Sequence, residues 1–216
     1  MLVELVAHAR RLVPVDGRHV LGITGCPAAG KSTLALALAQ ELARHGDAVA
    51  AVPMDGFHLS DSALHQLGRR DRKGAIDTFD ADGYLALLRR IRADRDRTIW
   101  APGFARDLEQ PIAGTIPVDP QVRLVVTEGN YLLAEDPPWP QIRAELVEVW
   151  YCHLDDDLRR DRLVRRHIEF GKSEQAARDW VRAVDDPNAA LISSSRDRAD
   201  LDIDMARIGP LGPTAG

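Results

Sequence analysis

Lysine is scarce in this chain. Of 28 basic residues only Lys31, Lys73 and Lys172 are lysine, the other 25 being arginine, so a lysine in an unusual setting is informative. Cysteine is scarcer still: Cys26 and Cys152 stand 126 positions apart, with no pairing or metal-ligand spacing around either. That excludes a disulfide framework and points to a reducing compartment. No apolar run approaches the roughly 18 residues that span a bilayer. The first residues, MLVELVAHARRLVPVDG, carry Glu4 and His8 inside their apolar pattern and lack a small-residue cleavage site. They read as an amphipathic helix and not as a signal peptide, so the expectation is a cytoplasmic chain with no membrane partner. Positive charge is not in excess either, since 33 acidic residues outnumber the basic ones and leave a formal net charge of -5. This argues against a nucleic-acid partner, whose phosphates need net or patterned positive charge.

What is present is an ordinary globular composition, 45% hydrophobic and 28% charged over 216 residues, enough for one domain and a real core. That domain is expected to span residues 1–208, with 209–216 a disordered tail. Short β-branched runs at 20–24, 48–53, 98–101, 123–127, 146–154 and 201–204 alternate with segments of helical period. The alternation predicts an α/β fold whose mostly parallel sheet is covered on both faces. Leu34, Leu38 and Leu42 mark a helix over 31–45 that stops at Gly46. Further helices are expected over 82–94, 155–170 and 174–184, and a loop or short antiparallel excursion over 102–120.

The sharpest motif joins the first strand to the first long helix. Gly25-Cys26-Pro27-Ala28-Ala29-Gly30-Lys31-Ser32 matches G-x-x-x-x-G-K-[ST], and Thr33 follows in the same turn. Gly25 and Gly30 let the backbone curl so that successive N–H groups, including those around Ala28 and Ala29, face a phosphate chain, to which the helix dipole adds. Lys31 supplies a cation for the β and γ phosphates, and the Ser32 hydroxyl is placed to ligate Mg²⁺. The cofactors expected are therefore ATP and Mg²⁺.

Two acids follow strands. Asp55, in Pro53-Met54-Asp55-Gly56, projects from the carboxyl end of the second strand, where ligands bind in open α/β sheets. It can accept a proton from an attacking hydroxyl, hold the metal, or simply cap an Asp-Gly turn. Glu128 ends the run Leu124–Thr127, a position that resembles the one where P-loop proteins put the acid that meets Mg²⁺, so it is expected to share the metal site directly or through water. The reading favours Asp55 as base and Glu128 as metal or substrate ligand, and leaves the reverse open.

The order of motifs resembles the branch of P-loop kinases that holds uridine kinase, phosphoribulokinase and bacterial pantothenate kinase, over about residues 18–205. It rests on GCPAAGKST, PMDGFH, RKGAIDTFD (72–80), WAPGFAR (100–106), TEGNYLL (127–133) and RLVRRHIEFGK (162–172). PMDGFH, the KGAIDTFD run and EGNYLL look still more similar to proteins described as fructose transport system kinases. The resemblance implies a three-layer α/β/α P-loop fold with a helical lid. It also implies transfer of the γ-phosphoryl group of ATP to a hydroxyl of a sugar, nucleoside or pantothenate-like molecule, with Asp55 as catalytic aspartate. Arg106 stands where pantothenate kinase has a histidine, and a homodimer is the default expectation by likeness.

His58, Lys73, Asp80, Arg106, Glu128 and Tyr131 are the expected acceptor-binding residues. A polyol wants carboxylates and an anionic acceptor wants Arg or Lys, and both are present. Arg159, Arg162 and Arg166 share a helix face. Arg162 and Arg166 are expected to close over the γ-phosphate from the lid, the alternative being a charged surface paired with Asp155, Asp156, Asp157 and Asp161. A different class of function would be an ATP-binding regulatory partner of a transporter, needing no acceptor of its own.

Overall fold

The structure, a computed structural model, describes residues 1–208; the expectation for 209–216 lies outside the described residues. In chain order the elements begin with α1 (Leu2–Leu12), β1 (His19–Thr24), α2 (Lys31–Arg44), β2 (Val49–Pro53), α3 (Asp61–Gln66) and α4 (Ala81–Ala93). There follow β3 (Ile99–Ala105), β4 (Gln110–Val118), β5 (Leu124–Glu128), α5 (Trp139–Ala144) and β6 (Glu148–His153). Last come α6 (Asp156–Glu169), α7 (Glu174–Trp180), α8 (Asp186–Ser193) and β7 (Leu201–Asp204).

Five strands pair in the order β2-β5-β1-β6-β7, all in parallel. β1 is central and, from Val20 to Thr24, fully buried, as a strand covered on both faces must be. Successive side chains feed opposite cores. Val20 packs with Val52, Val125 and Tyr84, whereas Leu21 and Ile23 pack with Leu34, Leu38 and Trp150 beneath α1 and α2. Helix α2 buries the predicted stripe Leu34, Leu38 and Leu42. It ends where expected: Gly46 adopts φ +83°, and its N–H and that of Asp47 return to the carbonyls of Ala43 and Leu42 at 2.9 and 3.1 Å. Among the described residues no helix is long and apolar enough to cross a membrane.

One expectation needs correction. Residues 98–101 do not join the parallel sheet; β3 and β4 pair only with each other, antiparallel, as a separate hairpin. Proline is the physical reason. Pro102 in β3 and Pro111 and Pro117 in β4 have no N–H to donate, so neither strand suits a sheet interior, and the register slips between Ala101 and Gly103 around Pro102. The hairpin root is clamped by Arg18, a buried side chain that donates to the carbonyls of Val122, Ile91 and Asp119 at 2.8 Å each. Thr98 adds a 2.7 Å bond to the Asp119 carboxylate.

The helix expected over 174–184 is present and runs on to Ser193, with one irregularity. α7 passes into one π-helical stretch, Val181–Asp185, before α8. The wider turn presents Asp185 and Asp186 side by side to α6. His167 meets Asp185 at 2.9 Å, and Arg159 and Arg160 meet Asp186 at 3.3 and 3.0 Å.

Candidate active site

The loop after β1 is shaped by close approach. Gly25 takes φ +142°, and a Cβ there would lie 2.2 Å from the Cys152 carbonyl oxygen of β6, so only glycine brings the loop this near its neighbouring strand. Ala28 at φ +64° and Gly30 at φ +103° complete the curl; a left-handed non-glycine residue is uncommon and marks a constrained, functional turn. The curl ends in the first turn of α2, whose N–H groups have no intrahelical acceptors. Lys31 is buried, and its Nζ donates to the Cys26 carbonyl at 3.1 Å. Burial holds its pKa below the ordinary lysine value, opposed by the charges of Glu128 and Asp55. The Ala29 N–H, expected to face the phosphates, bonds instead to the Cys26 carbonyl at 3.1 Å; the desolvated ammonium and the free N–H groups of the first turn of α2 fit a polyphosphate.

Glu128 closes β5, and Ser32 Oγ donates to its Oε1 at 2.9 Å. The strand end is fixed from behind, where Tyr84 meets the Thr127 hydroxyl and that hydroxyl donates to the Val52 carbonyl. A hydroxyl and a buried carboxylate in contact beside the phosphate loop are the donor set that a hard divalent cation takes, so the pair fits Mg²⁺. Burial first, and then the nearby Asp55 charge, raise the Glu128 pKa from 4.5 to about 7, while Lys31, Ser32 and Arg106 oppose the rise.

This shift has a consequence for stability in magnesium-free and nucleotide-free buffer. Between about pH 4.5 and 7 the folded chain keeps a Glu128 proton that the unfolded chain has released. Stability therefore falls as pH rises through that window, by up to about 3 kcal/mol. Urea unfolding from pH 5 to 8 should show that slope in the wild type and a flatter profile in Glu128→Gln; equal slopes would contradict it.

Asp55 sits in a short 3₁₀ turn, Met54–Phe57, directly after β2. Among the described residues its carboxylate makes no hydrogen bond or ion pair, and it lines a cavity of about 500 Å³ together with Ser32, Arg106 and Glu128. The turn is braced by His58, whose Nδ1 donates to the Asp55 carbonyl at 2.9 Å while its ring packs 4.1 Å from Phe79 and 4.9 Å from Phe104. Burial lowers the His58 pKa below 6.5. Gly56 lets the hairpin approach, since a Cβ there would lie 2.4 Å from the Pro102 carbonyl oxygen. Gly56→Ala must push turn and hairpin apart. We expect it to lose on the order of 1–3 kcal/mol in urea melts and to lower turnover by displacing Asp55; a wild-type melt would refute this.

The remaining sequence-predicted residues divide. Arg106 lines the cavity and has no ion pair among the described residues. Arg166, on α6, comes within range of the same groups, the charges acting on it being Arg106, Asp55, Asp185 and Glu128. Arg162 lies exposed on α6, and no contact to a described residue ties it to the site. In its place on that face it is Arg159 that is buried, bonded to Asp156 at 3.0 Å.

Three further expected acceptor residues, like His58, stand outside the cavity lining. Lys73 is held by Asp61 at 2.6 Å and by the Glu109 carbonyl, tying the segment after α3 to the hairpin tip. Asp80 caps α4, accepting from the Gly83 N–H at 2.9 Å. Tyr131 donates to the Gly74 carbonyl at 2.7 Å and packs its ring on Phe79 and Trp139. Each is satisfied by structure and none lines the cavity. Sequence reasoning missed the apolar cavity wall, which comes from elements distant in the chain. It also missed the pair Asp185 and Asp186, whose only signal was two acids before Pro187.

Comparisons with known proteins agree with this architecture. The family model of the methylmalonyl-CoA mutase-associated GTPase MeaB matches residues 4–64, the segment from α1 to α3 that contains the phosphate loop. A Schizosaccharomyces pombe protein provisionally named uridine kinase C227.14 is 31% identical, over 95% of this chain and 91% of its own. A crystal structure from Silicibacter sp. TM1040, provisionally described as a fructose transport system kinase, superposes with a TM-score of 0.86 at 34% identity, covering 94% of this chain and 98% of that one. A structure described as a possible uridine kinase from Bacillus stearothermophilus shares the fold, with a TM-score of 0.61 at 20% identity. With the phosphate loop, the parallel sheet and full-length relatives of this kind, the chain belongs to the P-loop kinases, in the branch of its uridine kinase-like and fructose transport system kinase-like relatives.

Proposed function

We propose that residues 1–208 form one domain that transfers the γ-phosphoryl group of ATP to a hydroxyl of a small molecule. The observation that carries this reading is the convergence of Ser32, Asp55, Arg106 and Glu128 on one cavity, with Lys31 and Arg166 both within range of the Asp55 and Glu128 charges. The loop from Gly25 to Thr33 holds the triphosphate. Ser32 and Glu128 hold Mg²⁺, which when bound neutralises charge between the β and γ phosphates. Asp55, free of other partners, accepts the proton of the attacking hydroxyl. Lys31 and Arg166 meet the charge that spreads over the γ oxygens. The closing α6 then excludes water, which would otherwise compete as acceptor.

The reading is tested by phosphorus NMR and ADP release against a panel of alcohols. The expected product is a phosphomonoester whose formation needs both the alcohol and Mg²⁺. ATP binding with an ADP release rate that no alcohol changes would refute the kinase and favour a regulatory nucleotide-binding role.

A further inference from the structure

The cavity has two ends of opposite character. Its charged groups, Asp55, Arg106 and Glu128, lie together with Ser32 beside the phosphate loop. Beyond them the wall is hydrocarbon: Leu36 of α2, Ala51 of β2, Val126 of β5, and Phe104, Ile112 and Ile116 of the hairpin, with Thr115 as the one further hydroxyl. A free hexose or nucleoside would carry several hydroxyls into that region, and each hydroxyl desolvated without a partner costs on the order of 1–3 kcal/mol. An alkyl body gains from the same wall, at about 0.8 kcal/mol per buried CH₂. Arg106, an arginine with no ion pair among the described residues, faces the cavity at its charged end and asks for an anion close to the reacting hydroxyl.

Resting on the kinase reading above, we infer that the acceptor is a hydroxycarboxylic acid with a hydrocarbon body. Its hydroxyl meets Asp55, its carboxylate meets Arg106, and its alkyl part fills the space between α2 and the hairpin. In the transfer, the acceptor oxygen bonds to the γ phosphorus as the bond from that phosphorus to the β–γ bridging oxygen breaks. The hydroxyl proton passes to Asp55, and ADP leaves with the bridging oxygen. This sets the chain apart from a kinase of free sugars, despite a relative described by fructose transport.

The test measures kcat/KM by ADP release for 2- and 3-hydroxy acids of increasing alkyl length, from glycerate to 2-hydroxyisocaproate and 3-hydroxyoctanoate. The matching hydroxy amides, fructose, ribose and uridine serve as rivals, and calorimetric binding of the same compounds to the ADP-bound protein gives a readout independent of turnover. The expected result is a rise on the order of fourfold per buried methylene, acid preferred over amide. The length preference should collapse in Leu36→Gln and Ile112→Thr, and the acid preference in Arg106→Gln. Leu36 and Ile112 are 36% and 38% exposed, so these two variants should keep the fold, which a thermal melt verifies. Asp55-dependent turnover greatest with fructose, ribose or uridine would overturn the inference and leave the kinase standing. Length and acid preferences that survive all three substitutions would also overturn it. Bound ATP with no alcohol of any class turned over would overturn both.

Discussion

Asp55→Asn is expected to lower kcat by roughly a hundred- to ten-thousandfold, the usual worth of a positioned general base, while leaving nucleotide affinity near wild type. The side chain keeps its size and its place in the 3₁₀ turn between β2 and His58, and the neighbours that set the loop are untouched. What disappears is the acceptor for the hydroxyl proton. Glu128 is poorly placed to substitute, because Ser32 already donates to its Oε1 and in the proposed mechanism the same pair is taken up by Mg²⁺. Steady-state kinetics with nucleotide titration separates the two effects. If Asp55→Asn kept full turnover and Glu128→Gln lost it without losing magnesium, the roles of the two acids would have to be exchanged.

A second large effect is expected from Lys31→Met, which preserves the aliphatic stem and removes the charge. Loss of one cation at the transferring group should cost roughly a hundred- to a thousandfold in kcat/KM. The nucleotide-free protein should nevertheless keep its stability, because a buried ammonium whose main partner is a single carbonyl at 3.1 Å is costly to hold. Opposite behaviour of activity and stability is the signature of a group retained for chemistry. A variant that lost both together would instead place Lys31 among the structural residues. One further sign follows: without the opposing charge of Lys31, the Glu128 pKa should move further upward.

The sheet and the phosphate loop were legible in the sequence because both are local codes. β1 reads as a buried parallel strand from Val20 to Thr24 alone, and the loop follows from Gly25, Gly30, Lys31 and Ser32 at fixed spacing. Asp55 and Glu128 were legible because each stands at the carboxyl end of a short apolar strand, Asp55 just past β2 and Glu128 as the last residue of β5. Illegible were the features that depend on long-range partners. A cap and an acceptor ligand look alike in sequence, and only the Gly83 N–H beneath Asp80 distinguishes them. Nothing local to Lys73 announces its bond to Asp61, twelve residues away. Arg159, Arg162 and Arg166 share a face by periodicity, yet the π-helical stretch at Val181–Asp185 selects Arg159 for burial through Asp186. No periodicity encodes that stretch.

The isolation of the β3–β4 ribbon bears on how such enzymes diversify. It shares no ladder with the five-stranded sheet and is riveted at its base by Arg18 and Thr98, yet it supplies nearly half of the residues that line the cavity. Selection can therefore rewrite the ribbon, apart from Pro102, Phe104 and Arg106 that meet the Asp55 turn and the site, without disturbing the fuel end of the machine. A transplanted ribbon from a cousin, spliced between Thr98 and Asp119, should carry its donor's taste in alcohols with it.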